Sequence, residues 1–129
     1  MHWEFEFRPE HGVLVVATSG ELNRKSVREF TAAAVVEMAK HKAKRVLIDY
    51  LGSEIALSTA DLYEMPGFMD EVGMPRDCRV AMVLPGEEFA IGDATFYEDR
   101  AANTGRPHCT FRDRAAALAW LLAAPPVRR

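Results

Sequence analysis

Asp49, Ser58, Thr59 and Asp61 come nearest, by type and spacing, to a chemical site in this chain. Asp49 follows Val46-Leu47-Ile48, an apolar run bounded by Arg45 and Gly52 that reads as a strand buried on both faces. A carboxylate where such a strand runs out, with Tyr50, Ser53 and Glu54 beside it, could serve as an acid or base. It could equally accept hydrogen bonds from the amides of the loop that follows, which needs no substrate and is the simpler use. Ser58 opens the next helix, and Asp61 three residues on supplies a short form of the capping box. A phosphate on Ser58 would meet exposed helix amides and place almost two negative charges on the surface there. The bare hydroxyl is also sufficient as a cap, worth about 1 kcal/mol.

Other chemistries find less support. His108 and Cys109 are adjacent in a predicted strand, so they point to opposite faces and cannot form a nucleophile–base pair. His2, His11 and His41 fall on strand ends, turns or a helix end without partner spacing. Glu87, Glu88 and Asp93 could gather a hard cation, but no further ligand pattern joins them, and a solvated acidic loop is the plainer reading. Phosphate loop, nucleophile elbow and zinc set are all missing from the sequence. The expectation is a chain that is not an enzyme, with no cofactor and no metal.

Composition narrows the partners. A chain of 129 residues fits one domain spanning residues 1–129, with a frayed tail at 124–129. A formal net charge of −3 creates no field for nucleic acid. The apolar runs fall far short of the roughly 20 residues of a membrane span. The first seven residues lack the basic and apolar regions of a signal peptide. Cys78 and Cys109 form no CxxC, so they read as reduced thiols in a cytoplasmic protein. The basic run Lys40 to Arg45 reads as complementation of a helix C-terminus and a solvated lead into the next strand.

The elements that would position these residues follow from periodicity. Trp3, Phe5 and Phe7 alternate with Glu4, Glu6 and Arg8 as a half-wet strand, and a turn at Pro9–Gly12 leads into an antiparallel partner from Val13 to Ala17. Gly20 breaks the pattern. Asn23 caps a helix from about Arg24 to Lys40, whose Val27, Phe30, Ala34 and Met38 form the apolar stripe. After the central strand, the helix from Ser58 carries Leu62 and Met65, and Pro66 should kink or end it after Met65. Phe68, Met69 and Val72 then continue as a second piece to Gly73, making 61–74 a Met-rich broken helix. Cys78 to Leu84 is a strand, Asp93 caps a helix ending near Gly105, His108 to Phe111 is the last strand, and Asp113 caps Arg114 to Ala123. The sum is an α/β domain: a mixed five-stranded sheet, its first two strands antiparallel and the rest largely parallel, with about four helices.

Three stretches resemble the SpoIIAA-like branch of the STAS superfamily. Asp49 with Ser58-Thr59 nine residues on is similar to the strand–loop–helix in which anti-sigma-factor antagonists carry Asp and their phosphorylated serine. Arg79-Val80-Ala81-Met82-Val83 resembles that branch's fourth strand, and Phe111-Arg112-Asp113 through Trp120-Leu121 resembles its closing segment. The acidic residue expected before the serine is Leu57 here, and the glycine expected after the pair is replaced by Ala60-Asp61.

The resemblance implies a non-catalytic regulatory or protein-interaction module, switched at Ser58 or Thr59. Its working face would comprise loop 51–57, the helix from Ser58 and loop 85–92, with Asp49, Tyr50, Ser53, Glu54, Leu62, Met65, Phe68, Met69, Glu87 and Glu88 as surface residues. The partner would be another protein or a second copy of the chain. The alternative is a carrier of a small apolar, lipid-like ligand, with its cleft under the Met-rich helix.

Overall fold

The computed structural model describes residues 1–85 and 91–123, with backbone alone for residues 91 and 92. Glu87, Glu88 and the tail 124–129 lie outside the described residues. The elements run β1 (His2–Arg8), β2 (Val13–Leu22), α1 (Arg24–His41), β3 (Arg45–Ile55), α2 (Thr59–Glu71), β4 (Arg79–Val83), α3 (Ile91–Asn103), β5 (His108–Phe111) and α4 (Arg114–Leu122). The sheet order is β1-β2-β3-β4-β5, with β1 antiparallel to β2 and every later pair parallel. β3 is the middle strand.

Alternation along the parallel strands divides the core in two. Leu14, Val16, Val46, Ile48, Val80 and Met82 face α1, α2 and α3, where Phe30, Met38, Leu62, Met69 and Tyr97 meet them. Val13, Val15, Leu47, Ala81 and Val83 face the other way and are covered by Ala117 and Leu121 of α4. Asn23 caps α1 with a capping box to Ser26, and Asp113 caps α4 by accepting the Ala116 amide at 2.8 Å. Gly105 takes φ +82 beyond α3, the left-handed residue that ends that helix.

Four local expectations change. β2 does not stop at Gly20, and β3 does not give way to a loop at residue 51. The two strands run on together, pairing Ser19 with Gly52 and Leu22 with Ile55. The register shifts between Ala17 and Ser19, so that two residues of β3 (Tyr50 and Leu51) oppose one of β2, which is a bulge. The inward side of β3 thereby passes from Ile48 and Tyr50 to Ser53 and Ile55. That break in alternation is what makes the segment look like a loop in the sequence.

α2 is one helix rather than two, with Pro66 inside it. Proline forfeits the amide that would have reached Leu62, but Met65, Pro66 and Met69 are all buried. Burial of apolar side chains, about 1.5–3 kcal/mol for a large one, offsets a single lost backbone bond. The helix ends at Val72 and Gly73, the latter at φ +84. Finally, Asp93 lies in the first turn of α3 instead of preceding it.

Candidate functional site at the carboxyl end of the sheet

Ser58 is exposed and caps α2. Its hydroxyl accepts the Asp61 amide at 3.1 Å, while its own amide donates to Asp61 Oδ2 at 2.9 Å. Those contacts, the Ser58 amide foremost and Arg24 among the lesser ones, hold the Asp61 carboxyl below the usual carboxylate range. The other oxygen, Asp61 Oδ1, lies 3.4 Å from Arg24 Nη1 at the start of α1. Arg24 also pairs with Glu64, and Arg28 approaches Glu64 at 3.6 Å with its guanidinium 4.5 Å over the Phe68 ring. The first two turns of α1 and α2 are thus fastened together by two cations against two carboxylates. On sequence alone Arg24 and Arg28 are merely the wet side of α1. Their i, i+4 spacing, set against Asp61 and Glu64 at i, i+3, is the signal that could have paired them.

Asp49 is committed to structure. Its Oδ1 accepts the Leu51 amide at 2.8 Å across the bulge, and its Oδ2 accepts Arg114 Nε at 2.7 Å from α4. Arg114 is a second partner that sequence reasoning missed, because it arrives from 65 residues away. Ser53 is buried, with its hydroxyl 2.6 Å from that of Thr18, which in turn donates to the Asp49 carbonyl. Tyr50 is buried, and burial pushes its phenol well above the ordinary range. Leu62, Met65 and Met69 point into the core and Phe68 is half-buried, so these apolar residues do not form an outer surface. What the carboxyl end does expose is Leu51, 50 % accessible, with Gly52, Glu54, Ala56, Ser58 and Thr59.

Behind this edge, between the sheet and the helices, lies an apolar cavity of about 60 Å³ bordered by Phe30, Tyr50, Leu62, Met65 and Met69. A cavity of about 150 Å³ is what holds a benzene-sized guest, so this one is smaller than a single aromatic ring requires. Deeper toward β5, the Tyr97 hydroxyl lies 2.8 Å from His108 Nδ1. Burial, reinforced by Arg106, lowers the His108 imidazole to about 3, so it is neutral at physiological pH. Cys78 and Cys109 are both free thiols, and burial pushes Cys78 up to about 12. That removes it as a nucleophile at neutral pH. Among the described residues no three of His, Cys, Asp or Glu gather as a metal site, and no helix is long and apolar enough to cross a membrane.

No protein-family model matches the chain, and no curated protein matches it. Solved structures do. The anti-sigma factor antagonist SpoIIAA in its unphosphorylated form superposes with a TM-score of 0.52 at 10% identity, over 92% of this chain and 95% of that one. An uncharacterised DUF3478-family protein with a SpoIIAA-like fold from Shewanella loihica PV-4 gives 0.53 at 22% identity, over 93% and 92%. With the mixed five-stranded sheet and its four helices, these similarities establish that the chain has the SpoIIAA-like α/β fold.

Proposed function

We propose that the protein is a non-catalytic regulatory or protein-interaction module of the STAS, SpoIIAA-like type, working in the cytoplasm and switched at Ser58. The observation that carries this reading is the exposed Ser58 hydroxyl at the capped start of α2, on the same sheet edge as the exposed Leu51. A solved protein of this fold is described as an anti-sigma factor antagonist in its unphosphorylated form, which supports a role for a phosphorylatable hydroxyl here. The ordinary means of catalysis are tied up: Asp49 is held by Leu51 and Arg114, and His108 is neutral and buried. A phosphate on Ser58 would compete with Asp61 for Arg24 and add charge beside Leu51, weakening an apolar contact there. Thr59, also exposed, is the neighbouring acceptor. The partner is a protein or a second copy of the chain.

A carrier of a small apolar ligand is the second reading, favoured by the mainly apolar border of the internal cavity. It requires α2 to move away from the sheet, because the closed volume is about 60 Å³. Native mass spectrometry of protein purified from its own host, repeated after denaturation, separates the two. A covalent phosphate that survives denaturation and maps to Ser58 or Thr59 supports the switch. A small-molecule mass, far below that of a protein chain, lost on denaturation supports the carrier and overturns the module. A protein that never carries phosphate, even under conditions that release its partner, overturns the switch.

A further inference from the structure

The opposite end of the sheet, where β3 and β4 begin, holds a cleft of about 330 Å³ bordered by His11, Lys42, Lys44, Arg45, Asp77 and Arg79. Four of those side chains are cations and one is an anion, in a chain whose net charge is −3. Asp77 is already engaged, 3.4 Å from Lys44 Nζ. Arg45 and Arg79 are register partners on adjacent parallel strands, so their side chains leave the sheet on the same face. Like charges set side by side on one face repel each other. Both guanidiniums are nevertheless held in place: Arg45 Nη1 donates to the His11 carbonyl at 3.0 Å. Arg79 Nη2 donates to the Trp120 carbonyl at 2.7 Å, with its guanidinium stacked 4.0 Å over the Trp120 ring. Arg79 Nε is buried without a hydrogen-bond partner among the described residues.

Lys42 borders the same cleft. It ends α1 at φ 56, ψ 38, and among the described residues it is the one non-glycine residue with positive φ. Glycine adopts this left-handed backbone without strain, whereas a side chain with a Cβ does not. Here it is the ordinary left-handed end of a helix, with the Lys42 and Ala43 amides donating to the Ala39 and Met38 carbonyls, and it sets the Lys42 cation on the rim of the cleft. Arginine forks and ammonium groups bordering one cleft are the groups that match the oxygens of a phosphate.

We infer that this cleft binds a small phosphate-bearing anion carrying two or more negative charges, which bridges Arg45 and Arg79 and is closed over by Lys42 and Lys44. The site lies at the end of the sheet away from Ser58 and does not depend on the function proposed above. The test titrates the full chain with inorganic pyrophosphate by isothermal calorimetry at low salt, with Arg45→Gln and Lys42→Gly in parallel. Saturable binding of pyrophosphate is expected, weakened about tenfold by Arg45→Gln, the effect of losing one charge-assisted contact. Lys42→Gly is expected to weaken binding while raising Tm, since it removes the strained side chain. Flotation with vesicles bearing a phosphoinositide tells a lipid headgroup from a free anion: recovery on vesicles without pyrophosphate binding assigns the source to lipid. Silence in both assays overturns the inference, as does binding that both variants retain at full strength.

Discussion

The guanidinium of Arg106 is fully buried, yet it lies 2.6 Å from the partly exposed carboxylate of Asp70. It also donates to the carbonyls of Pro75 at 3.2 Å and Met74 at 3.1 Å, so one side chain fastens the turn after α2 to the chain entering β5. Asp70 is shared with Arg76 at 2.8 Å, and Arg106 first, then Arg76, holds its carboxyl below the ordinary 3.8. Replacing Arg106 with Met keeps the volume but leaves two carbonyls without their donor. The expected loss is about 1–3 kcal/mol, read from urea midpoints. A variant as stable as the parent would show that water replaces those donors without cost.

Asp70 gives the same contact a pH dependence. Its folded value lies below 3.8, so the stabilisation it contributes is complete above that pH and disappears as pH falls through the lower folded value. Asp70→Asn should therefore lower the midpoint at neutral pH and make little difference in strong acid. An equal loss at both pH values would mean that the carboxylate charge is irrelevant and only its shape matters.

His108 acts over a wider pH range. Buried, it titrates near 3 in place of its ordinary 6.5, so between those values the unfolded chain binds a proton that the folded chain refuses. Stability must then fall as pH falls through that window, by up to about 1.4 kcal/mol per pH unit. His108→Phe removes the titrating group and should flatten the slope, even though the Tyr97 hydroxyl loses its 2.8 Å partner and total stability drops. An unchanged slope would place the acid sensitivity elsewhere.

The elements that can be read from local chemistry alone are those at which local chemistry decides. Asn23, Ser58 and Asp113 cap their helices as their side chains demand, and Gly105 ends α3 in the conformation a glycine supplies. Local rules fail where tertiary packing overrides them. Pro66 ought to break α2 but sits in a buried stretch that holds the helix together, and the bulge at Tyr50-Leu51 hides a strand by shifting its alternation. The site suffered most. By type Met65 and Met69 suit a core before an adaptable surface, and the sheet behind them places both in the core. Arg106, next to a turn glycine, carries no mark in the sequence that it will be buried against a carboxylate 36 residues away.

The bulge has its own requirement. A Cβ on Gly52 would stand 2.8 Å from the Thr18 carbonyl oxygen, closer than side chains approach backbone, and the obstacle is a paired strand that cannot swing aside. Gly52→Ala should cost about 1–3 kcal/mol through forced movement of β2 against β3. Hydrogen exchange at Ser19 to Leu22 should rise with it. A neutral effect on stability would show that the bulge relaxes freely.

Ser58 allows stability and switching to be separated in one pair of variants. Ser58→Ala removes the acceptor of the Asp61 amide and should cost about 1 kcal/mol, because alanine cannot cap. Ser58→Asp keeps an acceptor of equal capping strength but places a charge where a phosphate would sit, beside the Asp61 carboxylate and within one residue pair of Arg24. It should therefore fold more stably than Ser58→Ala. If Ser58 is the switch, partner recovery from the host should run in the opposite order, with Ser58→Ala retaining the partner and Ser58→Asp losing it. Quantitative affinity purification with both proteins, alongside their urea midpoints, provides the comparison. Partner recovery that simply follows stability would reduce Ser58 to a helix cap.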